Sequence, residues 1–305
     1  MNMEEKRLSN FAQAITALPI RLQREALALP PEIRCACEEL RLRAGKPMAY
    51  SRTGMETAFG KDPISADDLQ ETLGRATRYS VHSYGESLQN GFVTLEGGHR
   101  LGLCGTAVLR EGTVSGVRAL SSINLRIASQ VPGAADAVLP SLLRDGRPVS
   151  TLVISPPAWG KTTLLRDCIR QLSEAGVRVS VADERCEIAG SSGGAPQFDL
   201  GPQTDVMDGA PKADAALILI KTMSPALLAL DEITAPRDVE AVSYAAHCGA
   251  AVLATAHALD FADFKRRPLY RQLLRSQIFE QAVEISLHEG VRRYTVRALG
   301  GEQGC

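Results

Sequence analysis

The chain has few aromatic residues and almost no net charge. Phe, Trp and Tyr make up 5% of its 305 residues, and 35 acidic side chains against 34 Lys and Arg leave a formal charge of −1. Binding nucleic acid through bulk charge requires a basic excess, and stacking single-stranded bases requires aromatic side chains. The composition supports neither mode, so we expect no nucleic-acid partner.

Paired cysteines and long apolar runs are also missing. The seven cysteines are scattered, and none has the two-residue spacing of a zinc site. This usage favours a reducing cytosol, and Cys168 and Cys248 are predicted to be small core residues because they stand in apolar stretches. No stretch approaches about 18 uninterrupted apolar residues, and no apolar segment follows the charged residues 1–7. The sequence thus predicts neither a transmembrane segment nor a signal peptide.

The chain does contain a segment typical of phosphate binding, between an apolar strand pattern at 151–154 and an apolar helical pattern at 164–172. Backbone N–H groups of such a turn and of the helix start bind phosphate oxygens. Lys161 adds a charge for the β- and γ-phosphates of ATP, and the Thr162 hydroxyl can ligate Mg²⁺. The residues predicted to bind nucleotide are Ser155, Pro156, Pro157, Ala158, Trp159, Gly160, Lys161, Thr162 and Thr163.

This segment departs from the usual phosphate-loop pattern at one position and has a bulky residue in its turn. Ser155 stands where the pattern has glycine, and the bulky Trp159 precedes Gly160. Serine serves at that position only if the turn has ordinary backbone angles, because glycine alone adopts unusual ones freely. The alternative interpretation is a helix start of the same sequence that binds nothing.

A second motif supports nucleotide binding. Residues 227–230 are apolar and are followed by Asp231 and Glu232, as in the strand that delivers the Mg²⁺-side aspartate of P-loop ATPases. We predict that Asp231 holds Mg²⁺ through its water shell and that Glu232 orients and deprotonates the attacking water. Alone, such a run is often only a strand that leaves the core with a solvated acidic end. Here strand and helix patterns separate it from the phosphate segment by about 70 residues, which favours the functional interpretation.

The chain is predicted to have two domains, 1–128 and 129–305. The first has the pattern of a small α+β module. Its predicted helices cover 4–29, a short segment that begins at 30, and the range 66–90. Its predicted strands cover 39–43, 91–95, 99–103 and 105–109.

The second domain alternates strands and helices, which is typical of the α/β class. Its predicted helices cover 135–144, 164–172, 212–223 and 238–248, its strands 151–154, 177–181, 227–230 and 251–257, with a loop at 190–209 and a hairpin at 280–299. Ligands of such sheets bind at the carboxyl ends of the strands, where Asp183, Asp231 and His257 stand. His257 is there either to sense phosphate or as an ordinary structural histidine.

The ordered motifs resemble those of the stage III sporulation protein AA family over nearly the whole chain. The matching segments are 40–47, 97–102, 122–128, 155–167, 183–185, 201–205, 221–225, 231–233 and 254–257. That family is similar to the hexameric ATPases of type II and type IV secretion and of pilus retraction. The resemblance implies a RecA-like P-loop ATPase domain, of the α/β class, that follows a smaller N-terminal α+β domain.

The resemblance also implies a function and partners. It implies a Mg²⁺-dependent ATPase that works as a homo-hexameric ring and energises a channel between mother cell and forespore during endospore formation. Its partners would be membrane-embedded subunits of that channel, and it would be cytoplasmic and peripheral at the cytoplasmic face of the mother-cell membrane. Family members commonly have glycine at 158 and a smaller residue at 159, so Ala158 and Trp159 bear on the rate of hydrolysis more than on nucleotide binding.

Roles for further residues follow from the same resemblance. Glu184 and Glu187 fall where the secretion ATPases have an acidic box, and His257 matches their histidine box. Arg118 and Arg126 stand in the stretch whose arginines reach a neighbouring subunit's nucleotide in those rings, where they stabilise transition-state charge. Either arginine could instead be an ordinary surface residue. The catalytic candidates are thus Glu232, Glu184, His257, Arg118 and Arg126.

Two other functions stay open. One is an ATP-binding structural adaptor with little turnover, which the unusual residues at 155, 158 and 159 favour. The other is a RecA-like nucleic-acid motor, which requires a basic groove with stacking aromatic residues. Phosphate release with and without the substitution Glu232→Gln would separate the motor from the adaptor.

Overall fold

The computed structural model describes residues 3–52, 54–79, 91–110, 112–157, 159–288 and 291–299. The chain splits into two compact units. The first comprises Met1–Ser129 and Gly190–Gln197, and the second comprises Gln130–Ala189 and Phe198–Cys305. The segment 190–197 packs with the first unit, although the sequence pattern groups it with the second domain. Within that unit, Gln197 Oε1 accepts a 2.9 Å hydrogen bond from the N–H of Gly97.

The first unit combines helices with an antiparallel sheet. Its helices are α1 (Met3–Ala14), α2 (Ile20–Leu27), α3 (Pro31–Ala36) and α4 (Ala66–Ala76), with 3₁₀ turns at Ile15–Ala17 and Glu96–Gly98. Its strands are β1 (Glu39–Arg43), β2 (Pro47–Arg52), β3 (Met55–Pro63), β4 (Phe92–Thr94), β5 (Arg100–Arg110) and β6 (Thr113–Arg126). They lie in the order β3-β2-β1-β6-β5-β4, with antiparallel pairs throughout. This is the predicted α+β arrangement.

One apolar core joins the helices and the sheet of this unit. Phe11 of α1 and Leu22 of α2 pack there with Leu40 and Leu42 of β1, and all four are fully buried. In β1 these leucines alternate with charged residues that are half-buried. This is the period-two pattern of a strand with one face in the core and the other toward solvent.

Two helices predicted for the first unit differ from those in its described residues. The helix predicted over 4–29 is interrupted, because Pro19 lacks an amide hydrogen and stands just before α2 as its cap. The helix predicted over 66–90 ends at Ala76, and residues 80–90 lie outside the described ranges.

The predicted strands of the first unit need correction as well. The strands predicted at 99–103 and 105–109 are the single strand β5, whose register with β6 shifts around Gly105. The strand β6 is not predicted at all, because the small and polar residues of its sequence, such as Ser115 and Gly116, hide the alternation of a strand.

The second unit has a mostly parallel sheet covered by helices on both faces. Its helices are α5 (Leu139–Leu142), α6 (Lys161–Glu174), α7 (Lys212–Met223), α8 (Pro236–His247), α9 (Phe261–Arg266) and α10 (Pro268–Arg275). Its strands are β7 (Leu143–Arg144), β8 (Arg147–Pro148), β9 (Thr151–Ser155), β10 (Val179–Asp183), β11 (Thr204–Asp208), β12 (Leu227–Leu230), β13 (Ala251–His257), β14 (Gln281–His288) and β15 (Val291–Ala298). The main sheet has the order β11-β10-β12-β13-β9-β14-β15, and only β15 runs antiparallel to its neighbour. The predicted α/β class is confirmed.

Alternate residues of the central strands face two separate apolar cores. On β9, Leu152 and Ile154 pack in one core with residues of α7 and α8, whereas Val153 packs in the other with residues of α6. Strands β9, β10 and β12 are buried along their whole length, as expected for parallel strands covered on both faces.

Three predictions for the second unit are wrong in detail. The helix predicted over 135–144 shrinks to α5, since turns that begin near Gly133, at a φ of +84°, precede it. The loop predicted over 190–209 contains β11, which forms one edge of the sheet. Cys248, predicted to be a core residue, is exposed, whereas Cys168 is buried as predicted. The turn of the hairpin, 289–290, lies outside the described residues.

The described helices are short. The longest of them, α6, has 14 residues, whereas a helix that spans a bilayer needs about 20 predominantly apolar residues. Within the described ranges, none of the helices has the length and apolar character to pass through a membrane.

Candidate functional site

The carboxyl ends of four neighbouring strands meet at one edge of the parallel sheet. β9 ends at Ser155, β10 at Asp183, β12 at Leu230 and β13 at His257. β12 lies between β10 and β13, and β13 lies next to β9, so the polar residues at these ends lie side by side. Ligands of doubly wound α/β sheets bind at this edge.

The turn after β9 leads directly into α6. Ser155 is the buried last residue of β9 and does not adopt a positive φ, so serine meets no backbone strain where the usual pattern has glycine. Gly160 has a φ of +97°, a left-handed conformation that favours glycine, and it immediately precedes α6. The unpaired N–H groups at the start of α6 therefore follow directly on this turn.

The other residues of the predicted phosphate segment have different environments. Pro157 is exposed, and Pro156, Trp159 and Thr163 are half-buried. Thr163 lies in the first turn of α6. Ala158 lies outside the described residues.

Lys161, the first residue of α6, is turned back onto its own loop. Its Nζ donates to the carbonyl oxygens of Ser155 at 3.2 Å and Pro156 at 3.0 Å, and it lies 3.2 Å from Nδ1 of His257. Burial lowers the pKa of Lys161, and two nearby carboxylates oppose this shift.

His257 connects Lys161 to Glu232. An ammonium group only donates hydrogen bonds, so Nδ1 of His257 accepts from Lys161 and the ring proton is on Nε2. This Nε2–H donates a short hydrogen bond to Oε1 of Glu232. Three residues predicted from separate motifs thus form one chain of hydrogen bonds.

Asp231 is joined to the start of α6. Its Oδ2 accepts a 2.7 Å hydrogen bond from the Thr162 hydroxyl, and its Oδ1 accepts a short one from the Thr255 hydroxyl. Burial raises the pKa of Asp231, and these two hydrogen bonds oppose the shift. Thr162 and Asp231 offer a hydroxyl and a carboxylate oxygen at one point, and oxygen atoms are the ligands that Mg²⁺ prefers.

The turn after β10 carries two carboxylates in different environments. Asp183 is buried and accepts hydrogen bonds from the N–H groups of Glu187 at 2.9 Å and Ala189 at 2.8 Å, so it holds the turn together. Glu184 is exposed and lies 3.7 Å from Nζ of Lys212. One small pocket is lined by Ala182, Asp183, Glu184, Arg185, Glu187, Lys212, Asp231 and Glu232.

Two basic residues at this site are not predicted from the sequence. Nζ of Lys212 donates to the carbonyl oxygen of Glu232 at 2.5 Å. Nε of Arg292 donates to the carbonyl oxygen of Trp159 at 2.9 Å. Arg292 lies on β15, more than a hundred residues from its partner, so no local pattern points to it. Lys212 does leave a signal, since it is a cation at a helix start, where the helix dipole favours anions.

The two arginine candidates lie on β6 and therefore belong to the first unit. Arg118 is exposed. Arg126 is also largely exposed, and its Nε lies 3.2 Å from Oε1 of Glu39. The site of the second unit is thus built from the other candidates, Glu232, Glu184 and His257 together with the phosphate segment.

The chain is similar to solved structures of secretion and pilus ATPases. Over 87% of this chain and 78% of the other, it matches the ATPase DotB of Legionella pneumophila with a TM-score of 0.58 and 16% identity. Over 93% of this chain and 84% of the other, it matches the pilus retraction motor PilT, solved with bound ADP, with a TM-score of 0.58 and 16% identity. The chain thus has their fold, a RecA-like P-loop domain with a smaller N-terminal α+β domain.

The chain also has relatives by sequence. The Stage III sporulation protein AA of Bacillus subtilis (strain 168) is 36% identical over 279 residues, which cover 90% of each chain. The protein SEEDLING PLASTID DEVELOPMENT 1 of Arabidopsis thaliana is 30% identical over 155 residues, which cover 50% of this chain and 22% of that protein. The family model for Sporulation stage III, protein AA, matches residues 4–304. The chain therefore belongs to the stage III sporulation protein AA family.

Proposed function

We propose that this chain is a Mg²⁺-dependent ATPase of the secretion-motor type. The observation that carries the proposal is the 2.7 Å hydrogen bond between Thr162 and Asp231. It joins the helix start after the phosphate segment to the strand end that carries the paired carboxylates. The hydrogen-bonded chain of Lys161, His257 and Glu232 lies beside it.

Nucleotide binding would use the turn between β9 and α6. The phosphates would accept hydrogen bonds from the free N–H groups at the start of α6. The helix dipole also favours negatively charged groups at this position. Lys161 would exchange the carbonyl oxygens of Ser155 and Pro156 for phosphate oxygens. Because a phosphate carries full negative charge and a carbonyl only a partial one, the exchange is favourable.

The same residues fit a magnesium ion. Mg²⁺ is usually held by one or two protein oxygen ligands together with substrate phosphates and water. Thr162 would supply a hydroxyl ligand, and Asp231 would hold the ion through its water shell, from two elements that already touch. A bound Mg²⁺ would neutralise negative charge on the β- and γ-phosphates.

Hydrolysis would rely on Glu232. Water attacks the γ-phosphorus, the bond from that phosphorus to the β–γ bridging oxygen breaks, and ADP leaves with that oxygen. Glu232 would accept the proton that the attacking water loses. The hydrogen bond from His257 to Oε1 orients the carboxylate of Glu232 for this step. Because His257 also accepts from Lys161, it could transmit a movement of the Lys161 side chain to Glu232.

The larger assembly is part of the proposal. We propose that 1–128 and 129–305 act as an N-terminal domain and a motor domain, and that the chain works as a homo-hexameric ring. Membership of the sporulation family and the fold shared with secretion and pilus ATPases support such a motor. It would act in the cytoplasm at the mother-cell membrane, with membrane-embedded subunits of a channel to the forespore as its partners.

The phosphate segment offers a direct test, because Trp159 is the only tryptophan in the chain. Titration with ATP and Mg²⁺ should change the Trp159 emission. Lys161→Ala should weaken binding by about ten- to a hundredfold, the range for loss of a charged hydrogen bond. Lys221→Ala, at the exposed end of α7, should leave the affinity unchanged. Equal affinities of the wild type and Lys161→Ala would contradict this site.

Turnover then separates the motor from its rival. Release of phosphate by the wild type, and its loss in Lys161→Ala, would support the ATPase. Tight binding of ATP without phosphate release, in assembled protein as well as in monomers, would instead favour the structural adaptor.

A further inference from the structure

Lys212 places a positive charge at the start of a helix, where the helix dipole disfavours a cation. It is the first residue of α7, and the preceding Pro211 provides no side-chain cap. The partial positive charge of a helix N-terminus repels an ammonium group. The Lys212 side chain is nevertheless only 12% exposed, so strong partners must hold it there.

Four oxygen atoms surround this ammonium group. The carbonyl oxygens of Glu232 and Asp231 accept hydrogen bonds from it at 2.5 and 3.4 Å. Carboxylate oxygens of Glu184 and Asp238 lie at 3.7 Å each. An ammonium group has three donors and one positive charge, so Lys212 both satisfies the carbonyls and offsets the repulsion between these carboxylates.

The carbonyl group at 2.5 Å belongs to a residue with an unusual backbone. Glu232 has a φ of +52°, in the left-handed region that residues with a Cβ atom rarely adopt. Its N–H donates to the Thr255 hydroxyl at 2.9 Å, and its carbonyl oxygen accepts from Lys212. Thr255 of β13 thus holds the peptide group before Glu232, and its carbonyl oxygen also accepts from the N–H of Ile233 at 2.9 Å. Lys212 holds the carbonyl side of that second peptide group.

The remainder of this turn is fixed around the same cation. Asp238 accepts hydrogen bonds from the N–H groups of Thr234 at 2.8 Å and Ala235 at 3.0 Å. Asp238 also lies beside Lys212. Lys212 therefore contacts the carbonyl groups of Asp231 and Glu232 at the start of the turn, and the carboxylate of Asp238 that holds the end of the turn.

We propose that Lys212 is a positioning residue that holds the 231–235 turn, and with it the carboxylate of Glu232, in the geometry needed for hydrolysis. This inference rests on the proposed function for its effect on turnover, but not for its effect on the turn. Lys161 would govern nucleotide affinity, whereas Lys212 would govern what happens to the bound nucleotide.

Hydrogen exchange tests the effect on the turn without any activity. In Lys212→Gln, amides of 232–235 should exchange about fivefold faster or more, because the turn opens locally. Amides of β12 should keep their protection. Lys221→Gln, an exposed lysine at the other end of the same helix, should leave both segments unchanged. Unchanged exchange of 232–235 in Lys212→Gln would overturn the proposal.

Kinetics test the effect on Glu232. In Lys212→Gln, kcat should fall on the order of tenfold or more, as expected for a displaced catalytic group, while the affinity for ATP measured by Trp159 emission stays within about twofold. Lys212→Arg keeps the charge but not the compact shape, so it should recover part of kcat. Wild-type kcat in Lys212→Gln would overturn the proposal, and so would a loss of ATP affinity as large as the loss of kcat.

The two proposals fail in distinguishable ways. If the wild type bound no ATP or released no phosphate, the ATPase would be wrong, and the hydrogen-exchange result would still decide whether Lys212 holds the turn. If the wild type turned over and Lys212→Gln matched it in both measurements, Lys212 would have no positioning role and the ATPase would stand. Should Lys212→Gln not fold, Lys212→Arg serves in both experiments.

Discussion

The Thr162 hydroxyl donates a 2.7 Å hydrogen bond to Oδ2 of Asp231 and so joins the start of α6 to the end of β12. The two residues are 69 positions apart in the sequence. Asp231 also accepts from Thr255 on β13, so hydroxyl groups from two different elements hold its carboxylate. One carboxylate thus links three elements at the edge where ligands of such sheets bind.

The substitution Thr162→Ala should separate the magnesium-dependent part of nucleotide binding from the rest. It removes one oxygen ligand but leaves Lys161 and the free amides of α6, so binding of ATP in EDTA should be largely kept. The increase in affinity that Mg²⁺ brings to the wild type should be lost. Titrations followed by Trp159 emission, with Mg²⁺ or with EDTA, measure both. Thr222→Ala, in the last turn of α7, is the control, and a full magnesium effect in Thr162→Ala would contradict this role.

The substitution Glu232→Gln should separate binding from hydrolysis. Gln keeps the size of the side chain and an oxygen that can accept from His257, but it cannot take a proton. Hydrolysis should fall by about a hundredfold or more, the typical contribution of a positioned proton acceptor, while ATP binds and persists. Phosphate release under saturating ATP measures this, and wild-type turnover would move the catalytic role to Glu184.

His99 makes the stability of the first unit depend on pH. Its side chain is 1% exposed, Nδ1 accepts from the N–H of Ala128 at 2.9 Å, and burial lowers the pKa of His99 to about 4. The ordinary value is 6.5. The unfolded chain therefore binds a proton more readily than the folded one between these values, so the folded state should lose stability as the pH falls from about 6.5 to about 4.

The substitution His99→Asn tests this dependence. Asn keeps an acceptor for the Ala128 amide but does not titrate, so its free energy of unfolding should change less between pH 7.5 and pH 4. The difference in this change between the two proteins should be about 3 kcal/mol, from the fall in pKa to about 4. Guanidinium unfolding at both pH values measures it. Equal changes in both proteins would show that His99 is protonated without penalty in the folded state.

Sequence patterns predict the parts of this site whose chemistry lies in consecutive residues. The phosphate segment and the pair Asp231 and Glu232 each follow an apolar strand, and a parallel sheet brings the ends of such strands to one edge. The position of His257 follows from the same rule, since it ends β13. The alternation of strands and helices in the sequence predicts this sheet topology. The topology in turn brings these residues into contact.

Other parts of the site depend on contacts that no local pattern encodes. Arg292 reaches Trp159 only because β14 pairs with β9 and β15 turns back beside it. Lys212 reaches Glu232 from 20 positions away, through the packing of α7 beside β12. In the first unit, the strand β6 escapes prediction because it has no regular alternation of apolar and polar residues.

The arginines of β6 give a test of the ring. Arg118 and Arg126 should be dispensable for ATP binding yet needed for hydrolysis, and turnover per chain should rise with protein concentration as rings form. The substitution Arg126→Ala should not disturb the fold, because its partner Glu39 also pairs with Arg41 at 2.6 Å. Arg24→Ala, an exposed arginine of α2, is the matched control.

Mixing two inactive chains gives the sharper experiment. Arg126→Ala and Glu232→Gln should each hydrolyse little ATP alone, since one lacks the arginine and the other lacks the proton acceptor. At a mixed interface the first chain supplies its intact Glu232 and the second supplies its intact Arg126, so part of the turnover should return. The same pairing with Arg118→Ala shows which arginine is used. Hydrolysis at the full rate by monomers, or an inactive mixture despite proven co-assembly, would rule out an arginine that acts on the neighbouring subunit.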